Sequence, residues 1–354
     1  MPAALDPGLD ALLAGYRGYL RLFAGSRLAP ALSRPRPVRR TGFETELVVD
    51  RREEIADGVV ALTLARPDGA ALPEWTPGAH VDVVLPSGAQ RQYSLCGDTA
   101  DPARWRIAVR RVDGSGGSHE VHADVHAGTR LTVRGPRNAF PMATETGYLF
   151  VAGGIGITPL LPMVARADAL GADWRLVQLG RDTASTPFTG ELARHDERVV
   201  LRTDAGHGGP PTAAEVLELG TAGRPVPPAV YLCGPPALAD AVRTELAATA
   251  PATRFHSERF SAPPVRGGRP FRAELARTGR TVEVAADESL LTALRRELPG
   301  IAYSCRQGFC GTCRVGVLDG GVDHRDTLLT PAERDEEMLV CLSRARDASL
   351  VLDL

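Results

Sequence analysis

The sequence contains no lysine, so all 41 of its basic residues are arginine, and 43 acidic residues bring the formal charge to −2. Broad nucleic-acid binding would require a basic excess, which this balance lacks. Six cysteines in 354 residues are too few for a disulfide scaffold. No Ser-His-Asp arrangement or glycosidase-type carboxylate pair is recognisable. The first ten residues, MPAALDPGLD, show no basic segment followed by an apolar core, so we predict no signal peptide and a cytoplasmic location.

One segment has the length of a membrane-spanning helix but not its composition. Residues 146–165 carry no charge over 20 positions. Glycine and proline interrupt this stretch at Gly153, Gly154, Gly156, Pro159 and Pro162. A buried strand, a glycine turn and the start of a helix explain it better, so no membrane span is predicted.

The hydrophobic pattern separates an N-terminal extension from the rest of the chain. Within residues 1–42, apolar side chains recur at helical spacing and predict an amphipathic helix over 8–24, followed by a Pro/Arg-rich linker. Residues 1–40 hold seven Arg and two Asp, a local charge of +5. We favour a helix that packs on the body of the protein, with a docking or membrane-surface role as the alternative.

Three domains are predicted beyond the extension. Residues 43–142 contain short strands separated by turn residues, as in a small antiparallel barrel. Residues 143–262 alternate strands and helices, which indicates a parallel sheet with a nucleotide site. Residues 263–270 form a linker. Residues 271–354 predict a hairpin, a helix, a cysteine-rich loop and short final strands.

The strongest motif is the cysteine loop near the C-terminus. Its pattern is C-x4-C-x2-C, followed by 27 residues and a fourth cysteine, and the four residues are Cys305, Cys310, Cys313 and Cys341. This spacing matches the plant-type ligand set for a [2Fe–2S] cluster. A structural zinc site is the alternative, although zinc sites usually show paired CxxC units. Gly308 and Gly311 would let the loop curl around the metal centre.

A second motif, RQYSLCG at residues 91–97, ends a strand of the predicted barrel. Together with the cysteine spacing, it resembles the phthalate dioxygenase reductase / vanillate O-demethylase reductase family. The resemblance implies an antiparallel flavin-binding β-barrel, a ferredoxin-reductase-type parallel α/β nucleotide domain and a C-terminal β-grasp ferredoxin. It also implies that Arg91 meets the flavin phosphate, while Tyr93 and Ser94 contact the isoalloxazine and ribityl groups. A surface arginine beside an ordinary buried tyrosine is the alternative.

The same resemblance extends the flavin site to later segments. The glycine-rich stretch GSGGS precedes a predicted short helix, whose first N–H groups suit a phosphate; a simple hairpin turn is the alternative. No segment for an adenosine half is evident, so FMN is preferred over FAD. The further flavin contacts implied are Gln92, Ala108, Val109, Arg110, Gly116, Gly117, Ser118, Thr158 and Phe260.

The nicotinamide site is predicted from two loops after strands. GGIGITPLL resembles the family's pyridine-nucleotide signature rather than a GxGxxG fingerprint. CGPP follows a later strand at the ligand side of the sheet. The implied NAD contacts are Gly153, Gly154, Gly156, Cys233, Gly234 and Pro235. Ser94, Thr158, Cys233 and Phe260 are the candidate catalytic residues. For Cys233 and Phe260, an ordinary core position is the alternative.

Arg181 and Asp182 follow the second strand of this domain, where such enzymes read the adenosine ribose. A carboxylate there would accept hydrogen bonds from ribose hydroxyls and repel a 2′-phosphate, so we predict NADH over NADPH. His119, His122 and His126 are spaced along one short helix and invite a metal interpretation. Without a carboxylate at set spacing, a surface or capping role is preferred.

The motifs together predict electron flow from NADH to FMN to [2Fe–2S] and then to a separate protein. NADH gives two electrons at once, whereas the cluster takes one, and a flavin connects the two. By resemblance, the partner is a Rieske-type aromatic hydroxylase or O-demethylase, with a cytochrome P450-type monooxygenase as the alternative. The other interpretations are a ferric or quinone reductase and, remotely, a redox sensor. We expect a monomer.

Residues 271–354 carry 14 acidic residues and 11 Arg, a local charge of −3. This acidic end, which includes Glu333, Asp335, Glu336 and Glu337, could steer a basic acceptor. An ordinary solvated helix is the alternative.

Overall fold

The computed structural model describes residues 44–114, 116–221, 227–260, 262–298, 300–303, 306–308 and 311–354. The predicted N-terminal helix at 8–24 therefore lies outside the described residues. Within the described part of the chain, no helix combines the length and the apolar character needed to cross a bilayer.

The first domain is a six-stranded antiparallel sheet with the strand order β4-β3-β6-β1-β2-β5. Its strands are β1 (Glu44–Ala56), β2 (Val59–Ala65), β3 (Ala79–Val84), β4 (Gln90–Ser94), β5 (Arg104–Arg110) and β6 (Arg130–Asn138), with helix α1 (Gly116–Asp124) between β5 and β6. Leu131, Val133 and Gly135 alternate as buried residues along β6, as expected where one face covers a core. The Cys96 N–H donates to the Arg106 carbonyl (2.8 Å), which joins the two edges of the sheet into the predicted barrel.

The second domain is a five-stranded parallel sheet with the order β11-β10-β7-β8-β9. Its strands are β7 (Gly147–Gly153), β8 (Asp173–Gly180), β9 (Val199–Thr203), β10 (Ala229–Cys233) and β11 (Phe255–Glu258). The helices are α2 (Ile157–Ala169), α3 (Thr189–Leu192), α4 (Asp204–His207), α5 (Ala213–Thr221) and α6 (Pro236–Thr249), with 3₁₀ turns at Gly154–Gly156 and Ala193–Arg198. Helix α2 covers one face of the sheet, and α5 and α6 cover the other.

The third domain is a five-stranded mixed sheet with the order β13-β12-β18-β14-β16, beside a two-stranded β15-β17 sheet. Its elements are β12 (Phe271–Leu275), β13 (Arg280–Val284), α7 (Leu290–Glu297), β14 (Arg314–Asp319), β15 (Val322–Asp323), α8 (Pro331–Arg334), β16 (Glu337–Leu339), β17 (Arg344–Ala345) and β18 (Ser349–Leu352). β12 and β13 form the predicted hairpin, and β12 pairs in parallel with β18.

The predicted linker is attached to the third domain by two arginines. Arg325 Nη1 donates to the Arg266 carbonyl (2.9 Å), and Arg344 Nη2 donates to the Arg269 carbonyl (2.9 Å). Arg344 is 1% exposed and also donates to Ala285 (2.8 Å), so its charge is satisfied by backbone carbonyls. The linker is therefore held on the third domain by directional hydrogen bonds.

Candidate active site

An anion cradle forms where β4 meets the start of α1. A methyl group built on Gly117 would overlap the Arg91 guanidinium, so the arginine lies directly against the backbone of this helix N-terminus. The Arg91 Nη1 group donates to the Gln90 carbonyl (2.9 Å), and this hydrogen bond fixes the orientation of the guanidinium. Guanidinium and N-terminal amides together suit a phosphate. The residues present therefore fit the phosphate of FMN.

Ser118 forms hydrogen bonds within the turn that precedes α1. Its hydroxyl accepts from the Val112 N–H (3.0 Å) and lies 3.3 Å from the Val112 carbonyl. The side chain is buried. These bonds shape the turn that leads into α1, and the role of Ser118 as a flavin contact stays a prediction.

The remaining flavin candidates lie on β4 and β5. Tyr93 packs against the barrel core, and burial raises the pKa of its hydroxyl. Ser94 is buried at the end of β4, and Gln92 is half-buried between Arg91 and Tyr93. On β5, Ala108 and Val109 are buried, whereas Arg110 leaves the barrel and donates to the Ser185 carbonyl of the second domain (2.6 Å). Arg110 thus connects the flavin side to the nucleotide side.

The two predicted nucleotide loops pack directly on each other. A methyl group on Gly156 would overlap the Cys233 carbonyl, and one on Gly153 would lie 2.9 Å from the Gly234 Cα and 2.5 Å from the Pro235 Cδ. Both glycines are therefore required by contact between the loops after β7 and β10. These loops stand at the carboxyl edge of the parallel sheet, where ligands bind in this architecture.

Three of the candidate catalytic residues are buried, two of them at this edge and one at the end of β4. The Thr158 hydroxyl donates to the Ile155 carbonyl (3.0 Å) and closes the glycine turn. Cys233 is fully buried, and burial, with Glu258 nearby, raises its pKa well above the usual value, so the thiol stays protonated. Ser94 is the third. Phe260, in contrast, is 49% exposed just after β11, which argues against the alternative of a core phenylalanine.

Glu258 was missed in the sequence analysis although it lies in the SERF segment. It is paired with Cys233 in the register of β10 and β11. Its Oε2 atom is buried with no hydrogen-bond partner among the described residues, and burial raises the pKa of this carboxyl to about 8. A carboxylate two residues before the aromatic Phe260, at the end of a strand, was the available signal.

The Asp182 carboxylate accepts a hydrogen bond within its own turn. Its Oδ1 accepts from the Ser185 N–H (2.7 Å), a bond that lowers the pKa of the carboxyl. The Ser185 hydroxyl also hydrogen-bonds to this carboxyl and contributes to the lowering. The exposed Arg181 is adjacent, and its carbonyl accepts from the Ala205 N–H (2.9 Å), which joins the loops after β8 and β9.

Two of the four predicted cluster ligands are described, Cys313 and Cys341, and both are buried. Cys305 and Cys310 lie outside the described residues. Gly308 and Gly311 have φ of +77° and +73°, the left-handed conformation that the predicted curl requires.

The buried Asp326 organises the neighbouring turn of this region. Its Oδ2 accepts from the Leu328 and Leu329 N–H groups (3.2 and 2.9 Å), and its Oδ1 accepts from the Ser343 hydroxyl (3.3 Å). These bonds hold the segment that packs on Gly308.

One histidine of α1 makes a structural contact with the barrel. His122 Nε2 lies 3.0 Å from the Val109 carbonyl, which ties α1 to β5. Within the described ranges, no group of three or more potential ligands of the His, Cys, Asp and Glu types is assembled for a metal ion. The preferred structural role fits the contact of His122.

Comparison with known proteins matches these sites to a common architecture. The family model "2Fe-2S iron-sulfur cluster binding domain" matches residues 273–346. Phthalate dioxygenase reductase of Burkholderia cepacia is 37% identical over 313 residues, covering 87% of this chain and 97% of that protein. Among solved structures, a phthalate dioxygenase reductase described as a modular structure for electron transfer from pyridine nucleotides to [2Fe–2S] has a TM-score of 0.66 and 36% identity, covering 88% of this chain and 98% of the other.

A larger protein contains the same architecture as one part. An intact type IV self-sufficient cytochrome P450 monooxygenase has a TM-score of 0.68 and 37% identity. The match covers 91% of this chain but only 43% of that protein.

Proposed function

The chain belongs to the phthalate dioxygenase reductase family, and on that premise we propose that its electron acceptor is a separate Rieske-type oxygenase. Membership confirms the predicted fold class, the reductase activity and the cofactors FMN, NADH and [2Fe–2S]. It also argues against a structural zinc site at the four cysteines, because the matched family model is an iron–sulfur domain. The domain boundaries and the residue assignments remain predictions.

The observation that carries the proposal is the 37% identity to a phthalate dioxygenase reductase over 87% of this chain, together with the anion cradle, the nucleotide loops and the cysteine loop in one chain. A flavin held by these residues supplies the conversion of a two-electron hydride donor into single electrons for a cluster. Arg91 and the α1 amides would bind the phosphate, and Tyr93 and Ser94 would contact the isoalloxazine and ribityl groups. The loops after β7 and β10 would receive the nicotinamide, and Phe260 would cover the flavin where the nicotinamide enters. Cys313 and Cys341 supply two of the four thiolates.

The acceptor is tested by reconstitution. The purified holoprotein is mixed with NADH and with either a Rieske oxygenase component or a cytochrome P450, and substrate-coupled NADH oxidation is followed. We expect the Rieske component to be supported at least about tenfold better, a preference of ~1.4 kcal/mol. The reverse preference would establish the P450 alternative, which the similarity to the self-sufficient P450 favours. Turnover with artificial acceptors would not distinguish the two.

We also propose that NADH is preferred over NADPH. The lowered pKa of the Asp182 carboxyl supports this, because a fixed negative charge at the predicted ribose site disfavours a 2′-phosphate. Steady-state kinetics with both nucleotides measure the preference as a ratio of kcat/KM. Comparable values for the two would contradict the assignment of Asp182.

A further inference from the structure

Two glutamine side chains join the third domain to the rest of the protein at the cluster loop, defined here as residues 301–313. Gln90 Nε2 on β4 donates to the Tyr303 carbonyl (2.9 Å). Gln307 Nε2 donates to the Arg259 carbonyl just after β11 (2.6 Å). Tyr303 and Gln307 each lie two residues from the predicted ligand Cys305. The loop is thus attached on both sides of that position.

The orientation of Gln90 is set on the barrel side. Its Oε1 accepts from Arg134 Nη1 (3.0 Å), and Arg134 Nε donates to Glu44 Oε2 (2.6 Å). Because arginine only donates, the amide oxygen of Gln90 must face Arg134 and its NH₂ group must face Tyr303. Gln90 directly precedes Arg91, so this contact begins beside the flavin cradle.

The second contact begins beside the nicotinamide edge. Arg259 stands between Glu258 and Phe260, and its carbonyl is the acceptor for Gln307. On the loop side, the Tyr303 ring lies under the Arg295 guanidinium, 4.4 Å from its centre, which restrains the residue that Gln90 contacts. Both ends of the Gln90–Tyr303 hydrogen bond are therefore restrained by neighbours within their own domain.

These bonds matter because the third domain has a hydrophobic cluster of its own. Within the described residues, that cluster contains only side chains from position 271 onwards. The described buried apolar residues of the barrel and of the third domain thus fall in separate clusters, and the short, directional hydrogen bonds of Gln90 and Gln307 cross between the third domain and the other two. We propose that Gln90 and Gln307 are positioning residues that hold the cluster loop against the flavin site for electron transfer, an inference that rests on the proposed electron path.

The test uses Gln90→Met and Gln307→Met in the holoprotein, which remove the donors while nearly preserving side-chain size and adding no charge. Anaerobic stopped-flow absorbance follows flavin reduction by NADH and, separately, cluster reduction. We expect flavin reduction within about twofold of wild type and cluster reduction slowed by two- to tenfold in each variant, the range that one neutral hydrogen bond supplies to a docking equilibrium. Hydrogen exchange of peptides covering 300–308 should become faster.

The control is Arg272→Ala, which removes an exposed ion pair with Glu283 inside the third domain and no contact with the other two. It should leave both rates and the exchange unchanged. The EPR spectrum and the redox potential of the cluster should be the same in all variants. Unchanged cluster reduction and exchange in both glutamine variants would overturn the positioning role. A wild-type protein whose cluster is not reduced by NADH would instead overturn the electron path itself.

Discussion

The contact between the first two domains differs in kind from the contact that attaches the third. A single hydrophobic cluster contains Val59 and Ala108 from the barrel together with Ile157 and Phe188 from the parallel-sheet domain. The cluster loop is instead attached through amide hydrogen bonds, from Gln90 and from Gln307. Hydride transfer requires the reacting atoms to be in near contact, whereas a single electron needs no bond to form. The more rigid contact thus lies where the chemistry demands closer geometry.

Polar contacts reinforce the first interface. Arg106 of β5 forms a bidentate ion pair with Glu191 (2.6 and 2.9 Å) and lies over the Phe188 ring at 5.0 Å. Asp57 N–H donates to the Ala184 carbonyl (3.0 Å). The barrel and the parallel-sheet domain therefore share both a core and a hydrogen-bonded rim.

The largest expected effect comes from separating the two nucleotide loops with Gly156→Ala. The added methyl group meets the Cys233 backbone, which cannot rotate away. We expect reduction of the flavin by NADH to fall by about 100-fold, as for a misplacement near 1 Å. Stopped-flow absorbance measures this rate of flavin reduction. The third domain should keep its cluster EPR signal, because its core is separate.

The matched control is Gly190→Ala in the same domain, where a methyl group would meet nothing within 4 Å. Its rate should equal that of wild type. An undiminished rate in Gly156→Ala would show that the contact between the loops does not set the geometry for hydride transfer.

A smaller effect is expected at the rim of the shared core. Arg106→Met removes the ion pair with Glu191 and should lower the free energy of unfolding of the first two domains by about 1–2 kcal/mol. Denaturant titration with flavin release as the signal measures this change. The denaturant midpoint at which the cluster absorbance is lost should stay unchanged. Equal shifts of both transitions would mean that the three domains unfold as one unit.

The smallest effect is a pH dependence at Glu258. Its pKa is about 8 in the folded protein and about 4.3 in an unfolded chain, so the folded state retains a proton that the unfolded state releases. This contribution to stability is complete below about pH 4 and is lost as the pH rises towards 8. Glu258→Gln should therefore raise Tm at pH 8.5 by a few degrees, about 2–4 °C for each kcal/mol recovered, and leave it nearly unchanged at pH 4.

Differential scanning calorimetry at the two pH values checks this, with the cluster absorbance recorded in parallel. The flavin-linked transition should shift and the cluster-linked one should not. A Tm difference of equal size at both pH values would mean that the titration of Glu258 is not responsible.

Much of the architecture follows from local patterns. Short alternating strands predicted the barrel, and strand–helix alternation predicted the parallel sheet. Gly308 and Gly311 were predicted from their place among the cysteines, because a tight loop needs positive φ. The glycines of GGIG were predicted as NAD contacts, and the structure adds that Gly153 and Gly156 also pack closely against the CGPP loop.

The sequence by itself determined the succession of strand-rich and strand–helix segments and the spacing of the cysteine ligands, because each depends on residue types at short spacing along the chain, and the family resemblance implied the flavin, the nucleotide and their contacts. Tertiary structure decided which neighbours those residues have. It placed Glu258 beside Cys233, turned the Ser118 hydroxyl towards Val112 and brought Gln90 to Tyr303 across 213 positions. Contacts at such separation depend on how whole sheets pack, and no local pattern of residues encodes them.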